Sequence, residues 1–365
     1  MSNFHRKFGI CFLNMNKHFL VVGAGIAGTA VSEHLLQSGQ RVTLLDRGNN
    51  TCSYVAAGII NPLGFRRMTK SWRADAFLNY ALEFYMCIEQ KTNSSFLRKL
   101  EMRRMFSSEQ ECQLWRDKQE NAEFTSYLHP VTQSDTAFDG AKNPYGSGRL
   151  KQAYSVMAEG FFSGYKQWFT HQNNWLTEAF DYDAFNPYEL KYKNISYDGV
   201  VFCQGADNPD NPFFNDIPVQ TTKGELLIVQ NDKLDPKMTL NRKCFVLPLE
   251  EGMFKIGATY EWRTRDCSIT EAGKEKLLNA FNHLSDEPVV VLKQLAGIRP
   301  TSHDRRPYIG RNKEFAGIFM FNGLGSKGYL LAPLLAKEFV ESILENNPLS
   351  EEVYPYRGVP KNQGK

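Results

Sequence analysis

The residues able to do chemistry sit in two blocks at opposite ends of the chain. In "HFLVVGAGIAGTAVSEHLLQSGQRVTLLDR", Gly23, Gly25 and Gly28 have the spacing G-x-G-x-x-G, and Asp46 closes the segment just before Arg47. Gly23 permits a tight turn, Gly25 lets the backbone approach a pyrophosphate, and Gly28 lets a helix lie close to a sheet. Ala24, Ile26 and Ala27, between them, place unpaired N–H groups at the helix start, where a phosphate is favoured. Asp46 can accept hydrogen bonds from a ribose and would repel a 2′-phosphate. The other block, "QLAGIRPTSHDRRPYIG", residues 294–310, carries Arg299 immediately before Pro300. A guanidinium is a planar fork that holds a carboxylate through two parallel hydrogen bonds, and the proline restricts the backbone beside it. The competing reading of Arg299 is an internal ion pair, for instance with Asp304. Arg305 and Arg306 read as a solvated or salt-bridged loop.

The elements that must position these residues follow from pattern. Phe19 to Val22 and Val42 to Leu45 are apolar runs flanking a helical stretch that stops at Gly39, so strand, helix, strand and acid arrive in the order of a dinucleotide site. After Asp46 this winding breaks off into "NNTCSYVAAGIINPLGFRRMTKSWR" and an aromatic helical stretch near residues 74–90. It resumes at "GVVFCQGAD", where Gly205 marks a turn. "TTKGELLIVQ" and "KCFVLPLEEGMFKIGATYEW" alternate apolar and polar residues between turn signals, the pattern of an antiparallel sheet. "FAGIFMFNGLGSKGYLLAPLLAKEFVESILE" then reads as strand, glycine-rich loop and helix, with Pro333 near its start.

Composition narrows the class. A chain of 365 residues with 42% hydrophobic content is near the length at which one core divides into two. Forty-three Lys and Arg against 40 Asp and Glu leave a net charge of +3, too mild for a dedicated nucleic-acid binder. The 7 cysteines form no C-x-x-C pair and are odd in number, which fits free thiols and a cytoplasmic location. No apolar run approaches the roughly 20 residues of a membrane span. The histidines show no metal-ligand spacing, so no metal is expected. Met15 directly precedes the first strand pattern, and residues 1–16 read as an extension.

Four blocks in order, the glycine fingerprint, "AAGIINP", "GIRPTSHDRRPYIG" and "NGLGSKGYLLAP", resemble the FAD-dependent D-amino acid oxidase and glycine oxidase family from about Lys17 to Leu344. The resemblance implies an α/β fold: a doubly wound, Rossmann-type FAD domain interleaved with a mixed, largely antiparallel substrate sheet. On this reading residues 17–85, 140–215 and 290–345 form the FAD domain, 86–139 and 216–289 the substrate domain, and 346–365 a tail. It adds Ala57, Gly58, Ile59, Gly205, Gly323, Leu324, Gly325, Lys327 and Gly328 to the FAD-binding set, with Lys327 either supporting charge on the flavin or turned to solvent.

The resemblance further implies that Arg299 binds the substrate carboxylate and that a C–N bond is oxidised, with hydride passing to flavin N5 and oxygen as the acceptor. It places a tyrosine where "CFVLP" has Phe245, which removes a hydroxyl. Tyr260 and Trp262 are candidates to line the same cavity. No cysteine stands beside Arg299 to bond the flavin, so noncovalent FAD is expected. The substrate is a small amino acid or secondary amine. Two other outcomes stay open: a dehydrogenase that delivers electrons to a quinone or carrier, and a tRNA-modifying oxidase with Arg66, Arg67, Lys70, Arg103 and Arg104 as its basic surface. The oligomeric state is not readable from the sequence.

Overall fold

The computed structural model describes residues 16–48, 51–65, 67–131, 140–171, 174–250 and 252–357. Residues 1–15, most of the expected N-terminal extension, and Arg66 lie outside this set. The chain builds two main sheets. In the first, β1 (His18–Val22) lies between β2 (Arg41–Asp46) and Gly199–Phe202; Trp175–Thr177 and Ile318–Asn322 extend it in parallel, and Tyr308–Arg311 closes one edge antiparallel. These strands are apolar on both faces, as a sheet covered on both sides requires.

One face packs on α1 (Ile26–Gln37) and on helices Ala74–Thr92, Ala158–Thr170 and Gly328–Leu344, burying Val21, Leu44, Val201 and Phe321 with Ala30, Phe84, Phe161 and Leu335. The other carries Leu20, Leu45, Val200 and Phe202 against Phe185, Tyr192 and Phe214. That layer includes the small antiparallel sheet of residues 185–196. Pro333 lies inside the last helix and cannot donate to the carbonyl of Tyr329. The Tyr85 hydroxyl donates to that carbonyl instead, at 2.8 Å. The helix therefore runs on without a buried orphan acceptor.

The second sheet has eight strands, with Gln220–Gln230 second from one edge. On one side it pairs with Val290–Thr301, and on the other with Met253–Gly257 and Glu261–Trp262; beyond these lie Cys244–Pro248, Met238–Arg242, Glu101–Met105 and Ser147–Arg149. All described pairs in it are antiparallel except Met238–Arg242 with Glu101–Met105. Ser147–Arg149 and Val290–Thr301 thus belong to this sheet, although the sequence divisions at 140 and 290 put them with the nucleotide part. Pairing of the 12-residue Val290–Thr301 strand along the whole of Gln220–Gln230 decides the matter. The described part of the expected tail packs back on the body: Val353 is buried, and Arg357 bonds both oxygens of Asp304 at 2.9 and 3.0 Å.

Candidate active site

β1 ends in a turn that only glycine can make. Gly23 has φ +99°, and a Cβ there would lie 2.6 Å from the carbonyl oxygen of Cys203. A Cβ on Gly28 would lie 1.8 Å from the carbonyl oxygen of Gly23, so α1 rests directly on the turn. No side chain caps the start of α1 at Gly25. One amide there, Ile26 N, is taken at 3.2 Å by Ser53 Oγ. Asp46 is fixed by two backbone donors, Ala24 N to Oδ2 and Gly48 N to Oδ1, both at 2.7 Å. Each oxygen keeps a lone pair for a further donor.

A cleft of about 590 Å³ opens along these groups, within the range of cofactor sites. Of the residues expected to bind FAD, it is lined by Gly23, Gly25, Ile26, Ala27, Asp46, Arg47, Gly205, Leu324, Gly325 and Gly328. The helix starts at Ile26 and Gly328 both reach it. An acid for a ribose, uncapped amides for phosphates and a cavity of this volume together fit a dinucleotide such as FAD.

The other expected residues stand outside the lining. Ala24 and Gly28 shape the turn from behind. Gly58, at φ +65°, and Ile59 pair against the strand that ends at Val156. Gly323 follows the strand Ile318–Asn322, also at positive φ. Lys327 is not turned to solvent: its Nζ donates to the carbonyls of Asn61 at 3.0 Å and Leu63 at 3.5 Å and to the Ser71 hydroxyl. Burial, helped by the nearby charge of Arg305, pushes its pKa down to about 8.

The cleft also uses residues that the sequence reading missed. Cys52 and Ser53 come from the short helix after β2, while Glu178 to Phe180 and Tyr182 follow the strand Trp175–Thr177. Both sets lie just past the carboxyl ends of parallel strands, the usual ligand side of such a sheet. Three-residue strands are too short to show in a hydrophobic pattern. Arg265 and Cys267 reach the cleft from the connection after Glu261–Trp262, in the other sheet. Arg265 forms a two-point ion pair with Asp210, itself in the cleft wall, and no sequence signal announces this crossing.

Ile298 and Pro300 line the cleft, and strand alternation turns Arg299 to the opposite face. There the guanidinium lies flat over Gly224, where a Cβ would come within 2.1 Å of it. Nη1 reaches the carbonyl of Thr259 at 3.4 Å, and the Tyr260 ring covers the group at 4.5 Å. Among the described residues no carboxylate pairs with Arg299. Asp304, the alternative partner, is engaged by Arg357 and accepts the amide of Arg306 at 2.9 Å. Arg306 itself bonds Glu352 and stacks on Trp72, while Arg305 is exposed.

Phe245 shares the face of Arg299: its ring and a Leu226 methyl both fill the space a side chain at Gly257 would occupy. Arg299, Tyr260 and Phe245 are thus brought to one face. Trp262, by contrast, is 62% exposed on an edge strand. The basic surface considered for RNA is dispersed, since Arg104 bonds Glu111 and Asn241, and Lys70 bonds Asp75. Among the described residues there is no cluster of potential metal ligands, and no helix is long and apolar enough to cross a membrane.

Comparison with known proteins agrees with this geometry. Over 94% of the chain and 98% of the relative, the sequence is 24% identical to a glycine oxidase of Pseudomonas aeruginosa. The fold superposes on glycine oxidase from Geobacillus kaustophilus with a TM-score of 0.77 at 20% identity, covering 95% of this chain and all of that one. An iminodiacetate oxidase from a Chelativorans species also gives 0.77, at 14% identity, over 92% and 98% of the two chains. The model of the DAO family, described as FAD dependent oxidoreductase, matches residues 18–168 and 171–342, and with that match over nearly the whole chain the protein belongs to this family of FAD-dependent enzymes.

Proposed function

We propose that this enzyme oxidises the C–N bond of a small amino acid or secondary amine that carries a carboxylate, with oxygen as the acceptor, in the cytoplasm. One observation carries the reading: a half-buried arginine with no described carboxylate partner, near enough for its charge to act on Cys52 in the wall of the cofactor cleft. FAD, when bound, supplies the two-electron acceptor. The chain's own residues bind and orient. Arg299 takes the carboxylate in two parallel bonds, Tyr260 shields that pair from water, and Phe245 with Leu226 offers the substrate an apolar floor. Asp46, the α1 amides and the start of Gly328–Leu344 would hold the cofactor. Loss of two electrons and two protons from the amine leaves an imine, which water hydrolyses to a carbonyl compound and an amine or ammonia. The glycine oxidases among its relatives support a small carboxylate substrate. None of the six described cysteines forms a disulfide, which supports the cytoplasmic location.

The test is anaerobic bleaching of the flavin by glycine, N-methyl amines and D- and L-amino acids, followed by admission of air. Bleaching by a carboxylate-bearing amine, with rapid return of colour in air, is expected. Colour that stays bleached in air would show a dehydrogenase, and indifference to every carboxylate-bearing amine would overturn the reading.

A further inference from the structure

Arg299 is not the only cation on its face of the eight-stranded sheet. Lys255 stands two residues before Gly257 on the same strand, so alternation puts both side chains on one face, and register pairs Gly257 with Leu226 and Phe245. Lys255 itself pairs with Ile228 and Leu247. Its Nζ rises from the sheet to the carbonyl of Ala56, at 3.3 Å, just before Ala57 and Gly58. No described carboxylate forms an ion pair with it. Burial lowers its pKa, and Glu159 opposes that only at longer range. An ammonium in this setting has three donors and one described acceptor, and a cation withdrawn from water without an anion is costly.

The two cations bracket the apolar floor. The guanidinium lies over Gly224 and Lys255 stands beside Ile228, four positions along the same strand, about 13 Å at ~3.3 Å per residue. Between them are Leu226, Gly257 and Phe245. An extended amino dicarboxylate with two or three carbons between its carboxyl groups, adding a charge-assisted bond at each end, spans about 10 to 12 Å.

We propose that Lys255 binds a second carboxylate, so that the substrates of this enzyme are amino dicarboxylates held between Arg299 and Lys255. The inference rests on the carboxylate-binding role given to Arg299 above.

The experiment titrates the FAD-loaded enzyme with glutarate and with its monoamide, glutaramate, and follows perturbation of the flavin absorbance. The two probes match in shape and differ in one charge. Glutarate is expected to bind at least about tenfold more tightly to the wild type, the gain of one charge-assisted bond. In Lys255→Met the two probes bind alike, and Lys255→Gln repeats the result, with flavin content showing that each variant is folded. Equal affinity of the two probes for the wild type, or a tenfold preference that survives in both variants, would overturn the proposal and leave Arg299 untouched. Failure of both probes to bind the wild type would remove the Arg299 reading as well.

Discussion

Gly224→Ala tests the arginine clamp without altering the arginine. The added methyl would sit 2.1 Å from one guanidinium nitrogen and 2.4 Å from Cζ, so reaching ordinary contact at 3.4 Å requires the group to move by about 1.3 Å. The obstructed atoms are the far end of a flexible side chain, and the change removes a glycine from a strand interior. Stability should therefore stay within about 1 kcal/mol of wild type. Recognition should not, because a displacement of about 1 Å from a productive pose costs roughly 100-fold. The expected result in anaerobic stopped-flow reduction is a fall of about 100-fold in kcat/KM for a carboxylate-bearing amine, near 2.7 kcal/mol. Arg299→Lys, which keeps charge but loses the fork, should fall within roughly 30- to 1000-fold, the range for truncating a buried charge-assisted bond. The same amine without its carboxylate should be a poor substrate for wild type and nearly indifferent to either change. Wild-type behaviour of Gly224→Ala, equal losses for both amines, or loss of FAD would refute the assignment of Arg299 to the carboxylate.

Further expectations follow from other parts of the site and core. Gly28→Val should fold poorly or purify colourless, since its Cβ meets the Gly23 carbonyl at 1.8 Å; full FAD occupancy by absorbance would contradict the packing of α1 on the turn. Acid precipitation of the wild type should release the flavin into the supernatant, and colour kept in the pellet would show a covalent bond. His34 is buried, its Nε2 lies 3.0 Å from the Pro333 carbonyl, and burial pushes its pKa down to about 4. As pH falls from 6.5 towards 4 the unfolded chain takes up the proton first, so this contribution is complete above 6.5 and lost on acidification, about 2 kcal/mol of it by pH 5. Denaturant titrations at pH 7 and 5 should show that difference shrinking in His34→Leu; an unchanged difference would place the acid sensitivity elsewhere.

The sequence made legible whatever is local. The turn at Gly23, the acid at Asp46 and the helix after Gly328 declare themselves because glycine spacing, strand patterns and a terminal carboxylate are contiguous signals. What joins distant segments was not legible. That Gly224 exists to seat Arg299 depends on antiparallel register between strands about 75 positions apart in sequence. Lys327 reads equally as a flavin-supporting lysine or one turned to solvent until the carbonyls of Asn61 and Leu63 are seen around it. Arg265 enters the nucleotide cleft from the other sheet, and an exposed arginine in a polar loop carries no mark of that.

That crossing makes the cleft a shared wall. Because Arg265 and Cys267 come from the connection after Glu261–Trp262, while Asp46 and Gly25 come from the parallel sheet, no single sheet contains the whole cleft. The outward link at this wall is an ion pair between side chains 47% and 61% exposed, weak enough in water to open and reform. If FAD fills this cleft, its binding is also an act of assembly. By mass action a cofactor that binds only the native chain adds about 2.7 kcal/mol at a hundredfold excess over its Kd. Since the cleft proposed to hold it spans both sheets, that increment is shared between them, and they should melt as one cooperative unit when loaded and part company when stripped.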